Sequence, residues 1–341
     1  MARLFLVAMM FFVAACKSDP VTLTFSGETM GTTYTIVAID KTADLSSDAL
    51  QTSITAALTK VNSQMSNWDP NSEISRFNAA PSTDPIAISP ELAHVVAAAN
   101  AIHQKSEGLF DVTLGPLIEI WGFGARTPDS PVPTETAIAA AMQQVGQAKI
   151  LSLSQDPLTL RKSLPQTSVY LAAIAKGYGV DQVAAVLAEA GITDYMVEIG
   201  GDLVTAGLNP NGEAWRIGIE RPDAASQTIE EIVDVSGLGM ATSGDYRNYF
   251  EQDGIRYSHI IDGVTGRPIT HGTASVTVLA ENAMMADGWA TALLALGQDR
   301  GLKIAETEGL AVLFIARRAD SGETGFATTT SSQFSKLQAK Q

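Results

Sequence analysis

Two oxygen-bearing side chains are spaced one helical turn apart in the C-terminal part of the sequence. Asp287 and Thr291 fall in NAMMADGWATALLALG, whose asparagine cap and apolar spacing predict a helix over 282–297. Side chains four positions apart share one face of a helix. A carboxylate and a hydroxyl so placed offer two hard oxygen ligands of the kind that Mg²⁺ prefers. The structural alternative is that Asp287 favours the helix dipole while Thr291 bonds back to its own turn.

A histidine supplies a second group with useful chemistry. His259 is one of four histidines and stands in YSHIIDGVTGRP, where an apolar strand breaks into a glycine-rich turn. Because histidine titrates near neutrality, it can remove a proton from an attacking hydroxyl. In the alternative, His259 merely ends a strand and is satisfied by a backbone partner. The residues alone leave both roles open.

Glycines mark two further segments. AKGYGVD at 175–181 begins inside a predicted helix, where each glycine costs about 1 kcal/mol relative to alanine, which indicates close approach of another group to the backbone. IGGDL at 199–203 ends a strand and opens a turn. Neither segment matches GxGxxG, and the chain has no GxxxxGK[ST]. The two familiar glycine-rich phosphate-binding loops are therefore excluded.

An α+β chain of interleaved strands and helices must position these residues. Helical spacing covers 48–66, a segment from a Ser89 cap to a stop at Gly108, about 171–190, and 282–297. Strands are predicted at MGTTYTIVAI (30–39), YMVEIGG, AWRIGIERP, EEIVDVSG, RYSHIID, TASVTVLA and LAVLFIAR. No linker or repeat divides the chain. We therefore expect mixed β-sheets packed with helices.

The N-terminus has the features of an export signal. Arg3 supplies a short positive region, and residues 4–13 are apolar but too few to form a permanent membrane span. The following small residues and Cys16 resemble a bacterial lipoprotein signal, in which cleavage precedes an acylated cysteine. Cys16 is the only cysteine, which favours lipidation over a disulfide. We expect a signal peptide over 1–15 and a lipidated tether over 16–22, with an ordinary secretory signal as the alternative.

The chain is acidic, with a formal net charge of −15 over 341 residues. This charge argues against nucleic-acid binding and against electrostatic binding to anionic lipids. An anionic ligand would need local positive charge. Without a basic phosphate loop, a metal ion is the natural source of that charge.

Eight segments together resemble one known family. They are MGTTYTI, SEISRFN, GLFDVTLGPLIEIWGFG, AKGYGVD, EIGGDL, ATSGDYRNYF, YSHIIDGVTGRPI and ADGWATALLALG. Their order and approximate spacing are similar to those of the ApbE family of FAD:protein FMN transferases, also called flavin transferases. The resemblance runs from about residue 23 to about residue 320. It implies an ApbE-like FMN transferase domain over 23–330, followed by a polar tail over 331–341.

The resemblance implies Mg²⁺-dependent transfer of FMN from FAD to a threonine or serine hydroxyl of another protein, with release of AMP. Acceptors in the family include subunits of Na⁺-pumping and Rnf-type redox complexes and other periplasm-facing flavoproteins. Together with the N-terminal signal, this implies a lipoprotein anchored on the periplasmic side of a bacterial membrane. Two other interpretations stay open: an FAD pyrophosphatase that releases FMN and AMP, and a non-catalytic flavin-binding lipoprotein.

The family pattern also assigns roles to individual residues. It implies that the backbone carbonyls of Ala173 and Ala290 join Asp287 and Thr291 as metal ligands. His259 becomes a candidate general base, a role that Asp287 could share. For flavin binding the resemblance points to Met30, Trp68, Leu109, Phe110, Asp111, Lys176 and the Ile261 backbone.

Simpler explanations exist for part of this set. Plain core packing is the alternative for Met30, Trp68 and Phe110, although Trp68 is suited to stacking on a flat flavin or adenine ring. Arg247 faces either a phosphate or a surface acid.

One position departs from the family pattern. Tyr170 stands where the family usually has an acidic residue, six positions before Lys176. That acid is expected to contact FAD at its adenine end. Tyr170 would have to stack on the nucleotide or donate a hydrogen bond to it instead.

Overall fold

The structure is a computed structural model that describes residues 19–123, 131–223, 228–318 and 325–339. The predicted signal peptide and the predicted lipidation site Cys16 lie outside the described residues. The helices are α1 (Ser47–Met65), α2 (Glu73–Ala79), α3 (Pro90–Lys105), α4 (Gly115–Ile120), α5 (Glu135–Met142), α6 (Gln147–Ile150), α7 (Ala175–Glu189), α8 (Ala283–Leu296), α9 (Gln298–Glu308) and α10 (Ser332–Ala339).

The strands divide into one large sheet and several small ones. The large sheet contains β1 (Val21–Thr29), β2 (Thr32–Asp40), β6 (Tyr195–Ile199), β7 (Asp202–Ala206), β10 (Gly239–Gly244), β15 (Thr273–Ala280), β16 (Ala311–Arg317) and β17 (Phe326–Thr330), in that spatial order. The small sheets contain β3 (Ile86–Ala87), β4 (Leu151–Gln155), β5 (Leu158–Lys162), β8 (Arg216–Glu220), β9 (Ile229–Asp234), β11 (Tyr249–Gln252), β12 (Ile255–Ser258), β13 (Ile261–Asp262) and β14 (Arg267–Pro268).

The predicted α+β class, with helices packed on sheets, is confirmed. Within the described ranges, however, every strand pairing is antiparallel, so the sheets are not mixed in strand direction. Neighbours such as β1–β2 and β6–β7 are joined by two-residue turns, and only antiparallel strands can be connected so tightly.

Helix α8 is the centre of the core. All its residues except Met285 and Thr291 are buried, because it packs between the large sheet, α3 and α7. The approach of α7 is close: a Cβ added at Gly177 would lie 2.2 Å from the Ala283 carbonyl oxygen. The glycine-rich start of α7 therefore permits the contact between two helices that both carry predicted site residues.

Most predicted helices have the expected caps but shifted ends. Asn282 caps α8, its side chain accepting from the Met285 N–H at 2.8 Å, and Ser89 caps α3. Helix α3 ends at Lys105, before the predicted stop at Gly108, because Glu107 and Gly108 take positive φ values. Helix α7 begins at Ala175 rather than near residue 171, so its glycines lie in and just beyond the first turn.

Two predicted segments differ more. RYSHIID is not one strand: β12 ends at Ser258, β13 begins at Ile261, and His259 lies in the break. The expected polar tail over 331–341 instead contains α10, whose Phe334 is buried in an apolar cluster with strands of the large sheet. That one aromatic side chain explains why a segment of polar composition packs against the domain.

Among the described residues, no helix combines the length and apolarity required to cross a membrane.

Candidate active site

A cavity of about 690 Å³ lies where α7 and α8 meet the ends of several strands, and its volume is typical of ligand sites. Most of the predicted site residues line it, although they come from distant parts of the sequence. The lining includes Trp68, Leu109, Phe110, Asp111, Tyr170, Ala173, Lys176, His259, Ile261, Asp287 and Thr291. Met30 and Ala290 are not among its lining residues: Met30 packs against Gly179, and Ala290 is fully buried inside α8.

Two carboxylates and one lysine form a charged group at one wall of the cavity, called the buried lining below: Lys176 and Asp287 line the cavity, and Asp202 pairs with Lys176 from outside the lining. Asp202 and Asp287 are both buried, Lys176 forms an ion pair with Asp202, and the charge of Asp287 adds to the rise in the Asp202 pKa. Burial raises the pKa of both carboxyl groups. Burial would by itself lower the pKa of Lys176, but the two carboxylates raise it. One cation thus faces two acids, an arrangement that favours a further positive charge.

The position of Asp287 leaves a backbone oxygen free beside it. The Gly177 N–H donates to Asp287 Oδ2 at 3.0 Å. In a regular helical turn this N–H would donate to the Ala173 carbonyl. No N–H of the described backbone donates to that carbonyl, and Ala173 lines the cavity. The predicted ligand oxygens of Ala173 and Asp287 are therefore both available at one wall.

Thr291 adds a hydroxyl to the same wall. Its Oγ1 lies 3.1 Å from Ser243 Oγ on β10, and both residues line the cavity. Within the described ranges there is no cluster of three or more His, Cys, Asp or Glu that could hold a metal ion. The donor set here is of another kind, combining a carboxylate, hydroxyls and a carbonyl. Such hard oxygens suit Mg²⁺, which completes its shell with water and phosphate.

His259 is held by the backbone of one residue. The Asn248 carbonyl accepts from the His259 N–H at 3.1 Å and lies 2.9 Å from His259 Nδ1. Because a carbonyl only accepts, Nδ1 carries the proton, and in the neutral ring Nε2 is left as the acceptor. Burial lowers the pKa of His259, which keeps the ring neutral at pH 7. The structural alternative expected a backbone partner for His259, and the Asn248 carbonyl is that partner. The bond uses Nδ1 and leaves Nε2 suited to take a proton.

An ion pair anchors the loop that holds His259. Asp245 is buried and accepts from Arg317 Nη1 at 2.8 Å and Nη2 at 2.6 Å. The Asp245 carbonyl also accepts from Arg256 Nη2 at 2.9 Å. This fixes the start of the loop that ends at Asn248. These partners are not evident from the sequence, because Arg317 lies 72 positions from Asp245.

Other lining residues are more exposed than the two carboxyl groups. The exposed lining below means Trp68, Arg247 and the half-buried His259. The Trp68 side chain is 76% exposed, although its loop is fixed by a 2.7 Å hydrogen bond from Asn67 to the Val169 carbonyl. Arg247 forms an ion pair with the exposed acid Glu220, the second of the two partners considered for it.

The remaining predicted flavin contacts serve the fold as well as the cavity. Leu109 and Phe110 belong to the main core, as the packing alternative expected for Phe110. Asp111 accepts from the Thr113 N–H at 2.7 Å and the Gln147 N–H at 2.9 Å. Ile261 is buried in β13.

Tyr170 is already engaged by an acid. Its hydroxyl donates to Glu119 Oε1 at 2.8 Å, and burial together with Glu119 raises the Tyr170 pKa to about 12. The side chain therefore stays neutral and presents its ring to the cavity. An acid is present near the position where the family pattern expects one, but it comes from α4 rather than from residue 170 itself.

Comparison with known proteins identifies the family. The model of the ApbE family matches residues 30–314, which is most of the chain. The chain belongs to the ApbE family. Its ApbE relatives include the FAD:protein FMN transferase of Vibrio cholerae serotype O1 (strain ATCC 39541 / Classical Ogawa 395 / O395), 44% identical over 334 residues and 98% of each chain. That of Haemophilus influenzae (strain ATCC 51907 / DSM 11121 / KW20 / Rd) is 43% identical, covering 97% of this chain and 96% of the relative.

Solved ApbE structures have the same fold. The flavin transferase ApbE from Vibrio cholerae superposes with a TM-score of 0.86 at 43% identity, covering 94% of this chain and 100% of that one. The apo form of Pseudomonas stutzeri flavinyl transferase ApbE gives a TM-score of 0.84 at 38% identity, covering 94% and 97%. The cavity described above therefore lies in an ApbE flavin transferase fold.

Proposed function

We propose that this chain transfers FMN from FAD to a hydroxyl side chain of an acceptor protein and releases AMP. The observation that carries the proposal is the convergence of Lys176, Asp287, Thr291 and His259 on one cavity, although they lie on α7, α8 and a loop. These groups suit attack of a hydroxyl on a pyrophosphate, which needs a proton acceptor and positive charge. Relatives of 44% and 43% identity that bear the name FAD:protein FMN transferase support the same reaction.

We infer that Mg²⁺ is the metal and that the Asp287 carboxylate, the Thr291 hydroxyl and the Ala173 carbonyl hold it. Their hard oxygens support this choice, and so does the raised pKa of the two buried carboxyl groups, because a bound cation would stabilise their ionised forms. Ala290, the fourth predicted ligand, is fully buried in α8 and does not line the cavity. When bound, the ion would offset the negative charge of the pyrophosphate.

His259 is the general base of this proposal. As the acceptor hydroxyl oxygen forms its bond to phosphorus, its O–H bond breaks and Nε2 takes the proton; the bond between phosphorus and the AMP oxygen breaks. The neutral ring and the fixed Nδ1–H support this role. Asp287, the other candidate base, has Oδ2 occupied by the Gly177 N–H. Lys176 is suited to donate to a phosphate oxygen, since its ammonium has three donors and the ion pair with Asp202 uses one.

The setting of the reaction is proposed from the sequence. The N-terminal signal and Cys16 support a mature chain anchored by lipid on the periplasmic side of a bacterial membrane. An anchored enzyme would meet membrane-associated acceptors, such as subunits of Na⁺-pumping or Rnf-type redox complexes. The domain over 23–330 would then act next to the membrane on a short tether.

Mass spectrometry of an acceptor domain tests the function. The soluble protein from residue 17 onward is incubated with FAD, Mg²⁺ and the acceptor, with Asp287→Asn in parallel. We expect an FMN adduct on threonine or serine, reduced about 10²- to 10³-fold in the variant, because a metal supplies several kcal/mol of charge stabilisation. Free FMN and AMP without an adduct would instead favour an FAD pyrophosphatase. Bound but unchanged FAD would favour a flavin carrier.

A further inference from the structure

One strand beside the cavity has a backbone edge without a partner. Strand β8 pairs with β9 alone, in a two-stranded antiparallel sheet. Its four consecutive residues 217–220 all line the cavity. Because side chains alternate between the two faces of a strand, four successive residues can line one cavity only if the strand's edge also borders it.

The hydrogen-bond pattern shows which groups point outward from this edge. The Val235 N–H donates to the Trp215 carbonyl at 3.0 Å, so Trp215 and Val235 form a hydrogen-bonded pair. Bonding alternates along antiparallel strands, so the backbone groups of Arg216 and Gly218 point away from β9. Among the described residues, none forms a backbone hydrogen bond with these two positions on the outer side.

The opposite edge of the same small sheet is covered at one position. On β9, the Asp234 N–H donates to Gln338 Oε1 at 3.0 Å, and the Asp234 carbonyl accepts from Gln338 Nε2 at 3.3 Å. A side-chain amide of α10 thus bonds the outward backbone groups of Asp234. Proteins usually protect free edges, since an exposed edge is a template for another chain. The edge of β8 differs from that of β9 in bordering the cavity, so it is the edge on which an added strand would reach the site.

We propose that an extended segment of the acceptor protein adds to the free edge of β8 as an antiparallel or parallel third strand. The segment would bring its threonine or serine into the cavity that also holds Lys176, His259 and Asp287. This proposal rests on the proposed function and adds the docking mode of its protein substrate. Strand addition lets main-chain hydrogen bonds supply affinity while side-chain pockets supply specificity.

Two features beside the edge fit a docked protein segment. Gly218 is exposed and has no side chain, which lets another backbone come close. Arg216 is exposed and forms no ion pair within the part of the chain that the structure describes, in a protein of net charge −15. It therefore favours an acidic side chain in the docked segment.

A matched pair of variants at Gly218 tests the proposal. Gly218→Pro removes the outward N–H without breaking a bond to β9, and proline is tolerated at such an edge position. Gly218→Ala introduces the same Cβ, which would contact Ile229 at 3.0 Å, but keeps the N–H. Arg216→Pro and Arg216→Ala form a second pair at the other outward position. Folding of each variant is checked by thermal unfolding and by FAD binding.

The probe is the soluble domain of a flavinylated subunit of a Na⁺-pumping redox complex, and adduct formation is followed by mass. We expect the KM for this domain to rise about tenfold in each proline variant relative to its alanine partner, which is the effect of one lost hydrogen bond. The Kd for FAD and the rate at saturating acceptor should stay within twofold. This split between acceptor KM and FAD Kd would support strand addition.

Other outcomes would overturn the proposal in distinguishable ways. Equal acceptor KM values for the proline and alanine variants at both positions would exclude docking on β8 and leave the transferase activity standing. A rise in FAD Kd instead of acceptor KM would assign the edge to the nucleotide. Absence of any adduct with the unaltered protein would refute the proposed function, and the docking mode with it.

Discussion

The buried and exposed linings of the cavity are built differently. Lys176, Asp202 and Asp287 lie on regular elements, α7, β7 and α8, and both carboxylates are almost inaccessible to solvent. Trp68 and His259 lie on loops, and Arg247 follows the end of β10. The first set holds charge in fixed positions, whereas the second is reached from solvent.

This difference matches the demands of a reaction between a small molecule and a protein. Charge that must act on a pyrophosphate works best in a rigid site shielded from water, because its field is then strong and needs no reorganisation. A protein nucleophile must arrive from outside and leave as a product. The residues that meet it therefore have to be accessible, and loops on a rigid scaffold provide that access.

The largest effect is expected at His259, which belongs to the exposed lining. His259→Gln should lower kcat/KM about 10²- to 10⁴-fold, because it removes the proton acceptor. In the unaltered protein the base must be deprotonated, so activity rises with pH through the His259 pKa and levels off above it. Since burial lowers that pKa from 6.5, the rise should lie below pH 6.5. The measurement is the pH profile of adduct formation.

The control for this prediction is His94→Gln, a change at an exposed histidine on α3. It should leave both the rate and the profile unchanged. A His259→Gln variant that keeps the acid rise would show that another group, such as Asp287, is the base.

The buried lining should respond in stability rather than in pH profile. Lys176→Met leaves Asp202 and Asp287 buried without a cation, and should lower the free energy of unfolding by about 3 kcal/mol in metal-free buffer. Lys176→Met combined with Asp202→Asn should recover most of this loss, since one acid is then neutral. Urea unfolding measures both.

Lys41→Met gives the matched comparison. Lys41 also pairs with a buried acid, Asp194, but the lysine side chain is 58% exposed. Its removal should cost well under half as much, because water replaces the lost partner. Equal losses for the two lysines would show that the burial of the Lys176 ion pair adds nothing to its contribution to stability.

Residues that act through local spacing were predictable from the sequence. The Asn282 cap, the four-residue interval between Asp287 and Thr291, and the close approach at the first glycines of α7 all follow from helix geometry. Most of the residues to which the ApbE resemblance pointed line the cavity. Local patterns therefore located the helices that carry the site before any tertiary contact was known.

Long-range partners were not predictable in this way. Asp202 was seen only as part of a turn motif, whereas it is the ion-pair partner of Lys176 on a different element. The bonds from Arg317 to Asp245 and from Gln338 to Asp234 join positions 72 and 104 residues apart. No periodicity encodes such pairs, because they depend on the sheet order. The same reason explains why Phe334, an isolated aromatic residue, was assigned to a polar tail.

A smaller effect is expected at Asp245, a positioning residue for His259. Asp245→Asn should lower kcat about tenfold, because it weakens the ion pair with Arg317 that anchors the loop ending at Asn248. Asp245 also raises the His259 pKa, so the acid rise in the pH profile should move to lower pH. Glu135→Gln, which breaks an exposed ion pair with Arg267, is the control and should change neither quantity. An unchanged profile in Asp245→Asn would reduce Asp245 to a structural role.

The smallest effect is expected at Trp68, and it separates binding from folding. A tryptophan that is 76% exposed contributes little to the core, so Trp68→Ala should leave the free energy of unfolding within about 0.5 kcal/mol. Loss of a stacking partner should raise the Kd for FAD about fivefold, at the lower end of what ring stacking supplies, and Trp68→Phe should restore most of the affinity. Trp121→Ala, at a fully buried tryptophan, should instead cost about 3–5 kcal/mol of stability. If Trp68→Ala left FAD binding unchanged and weakened only the binding of the acceptor protein, the exposed lining would serve the protein substrate alone. The nucleotide would then be held entirely by the buried lining and its neighbours.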